Sequence, residues 1–240
     1  MSAAPHAVLG GARPLGLTAK LHTVRLQEAT AQPWRNGGGV TRELLAWSAP
    51  GGRAADETAR QGGESPGSEW DLRVSVADIT QDGPFSAFPG ISRCFAVLEG
   101  AGVVLSLNGQ DQTLTTASEP LAFDGAEAPG CRLISGPTRD LNLMVRHRAG
   151  QAWMQRAEAG VPRPMDAAWA WQGLYTHGPA LLATPGGRFE LQAGTLAWCD
   201  STVVQPREAA AEAPWCLVEG RQAWWLGLLV HGPSRPAQGR

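Results

Sequence analysis

The chain has 240 residues, a formal net charge of -2 and a high content of glycine (30) and proline (18). A net charge so close to zero excludes the basic surface typical of nucleic-acid binding, and no apolar run is long enough for a membrane-spanning helix. The four cysteines are scattered without a CxxC pair, so neither a zinc site nor a redox motif is predicted. We therefore expect a reduced, cytoplasmic protein with no nucleic-acid or membrane partner; a homodimer stays open.

Glycine and proline at this level are typical of many short strands joined by turns, which predicts an all-β protein. Residues 1–20 show no period and are predicted as an N-terminal arm. Leu21–Leu26 alternates apolar and polar residues like a first strand. We expect a first β unit over 21–150, a linker over 151–166, a second β unit over 167–232 and a tail over 233–240.

The most distinctive stretch follows Pro33, where Trp34 and Asn36 precede three consecutive glycines, Gly37–Gly39. Glycine can take positive φ and let the backbone approach a ligand closely, and consecutive N–H groups can form an anion-binding nest. A plain glycine-rich turn before a strand explains the same residues, so both interpretations stay open at this point. A phosphate-binding P-loop is excluded because no Gly-Lys-Ser/Thr follows.

Two strands are predicted on either side of a long surface loop, Ser48–Glu69, which has no apolar period. Val40–Trp47 and Trp70–Ile79 both alternate. In an antiparallel hairpin the paired positions have a constant index sum, and a sum of about 116 places Glu43 opposite Arg73 and Thr41 opposite Ser75. A slip of one residue would mix the polar and apolar faces.

The remaining strands are separated by turn signals such as Asp-Gly-Pro and Pro-Gly. Phe85 and Phe88 lie in one such turn and are expected to plug an end of the barrel, and the next strand, Ile91–Leu98, carries Arg93. Further strands are predicted over Val103–Leu107, Gln112–Thr115, Leu121–Phe123, Arg132–Ser135 and Asp140–Arg146 in the first unit, and over Ala168–Trp171, Gly173–His177, Ala180–Thr184, Arg188–Leu191, Thr195–Cys199, Thr202–Gln205, Trp215–Glu219 and Ala223–Val230 in the second.

The second half weakly echoes the first, which favours two related β units. Val97-Leu98-Glu99-Gly100 recurs as Leu217-Val218-Glu219-Gly220, and the apolar strand that ends in Arg146-His147 recurs as Trp224–His231.

Three strands of the first unit carry polar residues at every second position, namely Thr41/Glu43, Arg73/Ser75 and Asp140/Asn142. These stripes either form the solvated face of a sheet or converge on a cavity that holds a small ligand among a few polar groups. A buried Glu43 would need the Arg73 charge as a partner, and Arg73 and Arg93 suit a carboxylate, which guanidinium binds bidentately. The candidate ligand-binding residues are Trp34, Asn36, Gly37, Gly38, Gly39, Thr41, Glu43, Arg73, Ser75, Phe85, Phe88, Arg93, Asp140 and Asn142.

Metal binding and covalent catalysis find little support in the sequence. The five histidines stand apart, without an HxH, HxxxH or HxxE pattern. No GxSxG elbow occurs and no cysteine has an obvious histidine partner. No metal, cofactor or catalytic residue is assigned, although Glu43 and Asp140 stay open as an acid/base pair.

Six stretches of the first unit carry recognisable motifs: Trp34–Glu43, Arg73–Ile79, Asp82–Arg93, Leu98–Gly100, Leu121–Gly125 and Gly136–Met144. In order and spacing they resemble the HutD/Ves family. The resemblance covers roughly residues 21–150 and fades in the second half, where Ala197-Trp198-Cys199-Asp200 is similar. It implies an RmlC-like cupin (jelly-roll) fold with two β-barrels in one chain, a bicupin. It also implies a link to histidine utilisation, which such proteins are thought to modulate, with urocanate or a formylated glutamate as ligand.

The sequence therefore leaves three hypotheses. The leading one is a non-catalytic protein that binds a small carboxylate and modulates histidine catabolism. The second is a metal-independent cupin enzyme, of the isomerase or epimerase type, with Glu43 or Asp140 as acid or base. The third is a structural or partner-binding β protein that takes no small ligand.

Overall fold

A computed structural model describes residues 20–49, 70–163, 169–200 and 214–229. Nearly all of the predicted N-terminal arm (1–20) and of the predicted surface loop (48–69) lies outside the described residues, as do the predicted strand Thr202–Gln205 and the tail (233–240). The described regular structure consists of strands and two short 3-10 turns, Leu26–Glu28 and Gly125–Glu127. The all-β prediction is confirmed.

The strands follow the predicted alternation closely in the first unit and more loosely in the second. Before residue 150 they are β1 His22–Arg25, β2 Ala31–Pro33, β3 Gly39–Trp47, β4 Leu72–Ile79, β5 Gly83–Pro84, β6 Ile91–Glu99, β7 Val103–Leu107, β8 Gln110–Leu114, β9 Leu121–Asp124, β10 Gly130–Leu133 and β11 Thr138–Arg146. After it they are β12 Gln151–Ala157, β13 Trp169–Thr176, β14 Ala180–Thr184, β15 Gly187–Leu191, β16 Thr195–Asp200, β17 Cys216–Glu219 and β18 Ala223–Leu229.

The described strands form four antiparallel sheets, two in each unit. The first unit has a six-stranded sheet in the order β2-β3-β4-β11-β6-β9 and a four-stranded sheet in the order β5-β10-β7-β8. The second unit has a five-stranded sheet, β1-β16-β13-β18-β12, and a three-stranded sheet, β15-β14-β17. Hydrogen bonding between the described strands leaves all four sheets open, so the predicted barrels are pairs of facing sheets.

The sheets stack in four layers, with the two large sheets in the middle. The central core lies between them and joins residues such as Val74 and Leu143 of the six-stranded sheet to Trp171, Trp224 and Leu226 of the five-stranded sheet. Each large sheet uses part of its other face against the small sheet of its own unit. Each fully buried large apolar side chain contributes on the order of 1.5–3 kcal/mol, so the central core ties the two units together.

The two units repeat one topology. In the first unit, β6 pairs with β9 and β11, and β7 pairs with β8 and β10. In the second unit, β13 pairs with β16 and β18, and β14 pairs with β15 and β17. β4 lies beside β11 as β12 lies beside β18. The predicted echo of β11 in Trp224–His231 fits this repeat. The echo between Val97–Gly100 and Leu217–Gly220 does not, because β6 corresponds to β13 and not to β17.

Two predicted boundaries are wrong. Gln151–Ala157, predicted within the linker, is strand β12, whose Ala152 and Met154 belong to the central core. β1, predicted as part of the first unit, pairs with β16 in the sheet of the second. The predicted strands Ala168–Trp171 and Gly173–His177 form the single strand β13 over their described part.

The predicted register between β3 and β4 is wrong by two residues. Glu43 lies opposite Ser75 and Thr41 opposite Ala77, which is an index sum of 118. A β-bulge between Glu43 and Leu45 then shifts the register by one more residue. A shift of two keeps the side chains before the bulge on their predicted face, so the polar stripes still share one side of the sheet.

Within the described ranges, neither helical segment has the length and apolar character that a membrane span requires.

Candidate ligand-binding site

The polar faces of β3, β4, β6 and β11 point into the first unit, where they line a cavity of about 840 Å³. The apolar faces of the same strands pack in the central core. The stripes are therefore interior rather than the solvated face of a half-exposed sheet. Ten of the fourteen predicted residues line this cavity: Trp34, Asn36, Thr41, Arg73, Ser75, Phe85, Phe88, Arg93, Asp140 and Asn142.

Glu43 is not in the cavity wall, but it contacts a residue that is. The Nε atom of Arg73 lies 2.7 Å from Oε2 of Glu43, as an ion pair at the rim in which the Glu43 side chain is 36% exposed and that of Arg73 18%. The predicted Glu43–Arg73 pair thus forms on the diagonal of the ladder instead of directly across it. Because Glu43 is partly solvated, its ion pair with Arg73 contributes little to stability.

The three glycines build the turn rather than an anion nest. The Gly37 N–H donates to the Trp34 carbonyl (3.0 Å) and the Gly38 N–H to Oδ1 of Asn36 (3.0 Å), so two of the three N–H groups are used inside the turn. At Gly39 an added Cβ would lie 2.5 Å from the Asp78 carbonyl oxygen and 3.1 Å from the Trp34 ring. The glycines therefore allow two segments of the chain itself to approach each other closely.

This turn places Trp34 against the cavity. Its Nε1–H donates to the Thr41 hydroxyl at 2.7 Å, and its ring meets Phe85 edge-on at a centroid distance of 6.4 Å. Trp34 and Thr41 are both predicted site residues. Their hydrogen bond satisfies the N–H group of the partly buried indole. The cavity thus gains a fixed aromatic wall.

Arg93 is held inside a cage of phenylalanines. It is 5% exposed, and its Cζ lies 5.0 Å from the Phe123 ring centroid, 5.3 Å from that of Phe85 and 5.5 Å from that of Phe88. The pKa of Arg93 is lowered to about 10, mainly by burial; the charge of Asp140 opposes this change and the charge of Arg73 adds to it. Arg93 stays charged at neutral pH, and the two predicted phenylalanines stabilise that charge through cation–π contacts.

Asn142 links Arg93 to Asp140. Nη2 of Arg93 donates to Oδ1 of Asn142 at 2.8 Å, and Nδ2 of Asn142 donates to Oδ1 of Asp140. Asp140 is 1% exposed. Burial raises its pKa well above the ordinary value, against the opposing effects of the Arg93 charge and the Asn142 hydrogen bond. The one buried carboxyl of the cavity is therefore kept protonated over a range in which ordinary aspartates are ionised.

Sequence reasoning missed several residues of the wall, of which Arg146 matters most. It continues the stripe of Asp140 and Asn142 by two further steps of two, so the alternation that identified them extends to it. Its Nε donates to the Trp70 carbonyl at 2.7 Å and its Cζ lies 4.9 Å from the Trp70 ring centroid. The other missed wall residues are Gln32, Pro33, Arg35, Ala77, Pro84, Ser86, Ala87, Pro89, Ile91 and Met144.

Among the residues that the structure describes, no three His, Cys, Asp or Glu side chains come close enough to hold a metal ion. The chemistry of the cavity is instead set by guanidinium groups, one neutral carboxyl, amides and aromatic rings. Such a set is chemically able to bind and orient a small anion.

Fold and site together define an all-β protein with an arginine-lined cavity inside its first unit. The sequence matches the HutD family over residues 26–217, and the chain belongs to this family, which is associated with the histidine-utilisation locus. The resemblance found in the sequence is thereby confirmed.

Two curated relatives illustrate the match. The chain is 35% identical over 138 residues to an uncharacterised 21.2 kDa protein in the hutC 3' region of Pseudomonas putida, covering 56% of this chain and 64% of the relative. It is 32% identical over 127 residues to protein Ves of Citrobacter koseri, covering 52% of this chain and 58% of the relative. The matched part is thus less than two thirds of either relative.

Solved structures share the fold. HutD from Pseudomonas fluorescens SBW25, determined in a formate condition, is 25% identical with a TM-score of 0.66, over 89% of this chain and 100% of that chain. A conserved Pseudomonas aeruginosa protein of unknown function is 23% identical with a TM-score of 0.64, over 88% of this chain and 97% of that chain.

Proposed function

We propose that this chain is a non-catalytic binding protein for a small carboxylate, and that it modulates histidine catabolism by binding an intermediate such as urocanate or formylglutamate. The charge of the cavity carries the proposal. Arg73, Arg93 and Arg146 line it, whereas the buried carboxyl of Asp140 has a raised pKa. A guanidinium binds a carboxylate through two parallel hydrogen bonds, so this wall favours an anion.

The size and the apolar walls of the cavity support a small ligand with a flat or aliphatic part. A volume of about 840 Å³ falls in the range of small-molecule sites, which are mostly apolar with a few placed polar groups. Trp34, Phe85 and Phe88 provide the apolar surface beside the arginines. A carboxylate carried on an imidazole ring or on a short chain fits this combination.

Titration calorimetry with urocanate, formylglutamate and formate tests the proposal. Arg73→Gln removes one guanidinium from the wall and keeps a polar side chain of similar reach. A charge-assisted hydrogen bond contributes about 1.5–3 kcal/mol, so we expect the variant to bind the carboxylate about 10–100-fold more weakly.

Arg132→Gln is the matched control. Arg132 lies on β10 outside the cavity wall, its side chain is 61% exposed and it pairs with Asp111. The same charge change there should leave the affinity within about twofold. Absence of heat with all three compounds for folded protein, or equal loss of affinity in both variants, would contradict the proposal.

A metal-independent enzyme is the alternative, and one observation favours it. A buried carboxyl with a raised pKa in a cavity is typical of a general acid, and Asp140 has both properties. Glu43 suits the role less, because it lies at the rim in an ion pair. Turnover of a bound ligand that Asp140→Asn abolishes while binding persists would establish the enzyme; binding without turnover in the unsubstituted protein supports the binding function.

We also infer that the two units are cupin modules related by duplication, and that, over the described residues, only the first keeps a ligand site. The repeated strand pairing supports this. Strands β4, β6 and β11 can be aligned with β12, β13 and β18 by the faces that they turn toward the central core. The positions of the polar wall in the first unit are then occupied by apolar or amide residues in the second. In this alignment Arg73, Arg93, Asp140 and Asn142 correspond to Trp153, Gln172, Ala223 and Trp225.

A further inference from the structure

We propose that Asp140 recognises the bound carboxylate as a neutral carboxylic acid, with Oδ2–H donating a hydrogen bond to a ligand oxygen. The inference rests on the proposed carboxylate binding and adds the requirement that Asp140 is protonated. The ligand is held tightly only while Asp140 carries that proton.

The hydrogen bonds of Asn142 identify the oxygen that carries the proton. Arginine has only donors, so the amide oxygen of Asn142 must face Arg93 and its NH₂ group must face Asp140. Oδ1 of Asp140 therefore acts as an acceptor. The proton of the neutral acid then belongs on Oδ2, a buried atom that has no hydrogen-bond partner among the described residues.

The surroundings of Asp140 explain why it is not simply one half of an ion pair. Within the described part of the chain, Arg93 reaches Asp140 only through the Asn142 amide and not by direct contact. Asp78, which faces the other side of β4, repels a charge at Asp140. A side chain 1% exposed loses nearly all of its hydration, and that loss favours the neutral form.

The other described titratable groups that face Asp140 are two arginines and one cysteine. Arg73 faces it from β4 and Arg93 from β6, and the pKa of Arg93 is about 10. The Cys131 thiol faces it from β10, and burial with the nearby carboxylates raises its pKa to about 12. No described histidine lines the cavity.

An anionic ligand then requires the proton for two reasons. An ionised Asp140 would place a second negative charge beside the ligand, and like charges at close range in a buried site repel strongly. It would also lack the donor that a ligand oxygen needs. A neutral Oδ2–H supplies that donor, and the arginines supply the positive charge.

Calorimetry with acetate and succinate from about pH 6 to about pH 9 tests this, because both probes stay ionised over most of that range. For the unsubstituted protein we expect the dissociation constant to rise up to about tenfold per pH unit above the pKa of Asp140. We also expect proton uptake on binding, measured as a difference in heat between buffers of different ionisation enthalpy. Asp140→Asn presents a neutral N–H donor at every pH, so it should bind with an affinity that does not change with pH.

The infrared carbonyl band of a protonated carboxyl gives a reading that needs no ligand. We expect this band in the unsubstituted protein at neutral pH and its absence in Asp140→Asn. Binding that is independent of pH and takes up no proton, or absence of the band, overturns the inference but leaves carboxylate binding intact. Absence of binding at any pH overturns the proposed function itself.

Discussion

At the scale of single residues, two aspartates on neighbouring strands show how partners decide a charge. Burial pushes the pKa of Asp78 upward, but hydrogen bonds from Arg139 and Arg42, both 2.6 Å long, outweigh it and lower the pKa. Asp140 is buried more deeply and receives its hydrogen bond from an amide. A direct guanidinium contact thus lowers the pKa of Asp78, and without such a contact burial raises the pKa of Asp140.

This contrast predicts how stability depends on pH. The folded pKa of Asp140 lies above its unfolded value, so between these two values the native state holds a proton that the unfolded state has lost. Stability therefore decreases as pH rises through that window, by up to about 1.4 kcal/mol per pH unit. Asp140→Asn removes this titration. The free energy of unfolding of the variant, measured by urea denaturation, should therefore increase relative to that of the unsubstituted protein as the pH rises.

The exposed Asp111 on β8 provides the matched substitution, since its side chain is 56% exposed. Asp111→Asn should shift stability by a small amount with little pH trend. Parallel pH profiles for Asp140→Asn and the unsubstituted protein would show that Asp140 is ionised in the native state.

At the scale of elements, the start of β3 is fixed by how closely two backbones approach. Gly39 lies opposite Ile79, and the position of its missing Cβ is taken by the Asp78 carbonyl and the Trp34 ring. The same contact holds Trp34 where its indole reaches Thr41. The triple glycine thereby positions one wall of the cavity without lining the cavity itself.

Gly39→Ala should therefore destabilise the protein and disturb the site. An added methyl group 2.5 Å from a backbone oxygen forces the chain to move, and such overpacking costs about 1–3 kcal/mol. Thermal unfolding should show a lowered midpoint, and the Trp34 fluorescence environment should change. Gly130→Ala in β10, whose added Cβ would meet its nearest neighbour at 3.8 Å, should leave both almost unchanged; an equal effect of the two substitutions would argue against close packing at Gly39.

At the scale of the whole molecule, the shared central core makes the two units one cooperative structure. Its members come from both large sheets, and the polar wall of the cavity lies on the opposite face of one of them. Polar contacts join the units at one edge as well, where Nη1 of Arg139 lies 2.6 Å and Nε2 of His177 3.2 Å from the same Glu99 oxygen. The described part of the second unit packs against the sheet that carries the cavity.

A single unfolding transition is the expected consequence. Leu226→Ala, at a fully buried position of the five-stranded sheet, should cost about 2–5 kcal/mol and lower one calorimetric transition without splitting it. Hydrogen exchange should accelerate in β11 of the first unit as well as in β18. Ile134→Ala, at a position that is 45% exposed, should change neither, and two separate transitions in Leu226→Ala would show that the units unfold independently.

The alternation of polar and apolar residues was sufficient to locate most strands and to assign the site residues to one face. The reason is that the strand period of two depends on backbone geometry alone. Thr41, Arg73, Ser75, Asp140 and Asn142 could therefore be grouped from the sequence. The glycine turn and the turn around Phe85 and Phe88 were likewise local features that the composition indicates.

Only the tertiary structure decided what those faces meet. β1 lies in the sheet of the second unit and Gln151–Ala157 forms a strand, because each of these edge strands pairs with a segment far along the chain. The tertiary structure also set the β3–β4 register through a bulge and directed the polar stripes toward an interior cavity. Alternation distinguishes two faces of a strand, but burial of one face or both depends on contacts between distant segments, which no local pattern encodes.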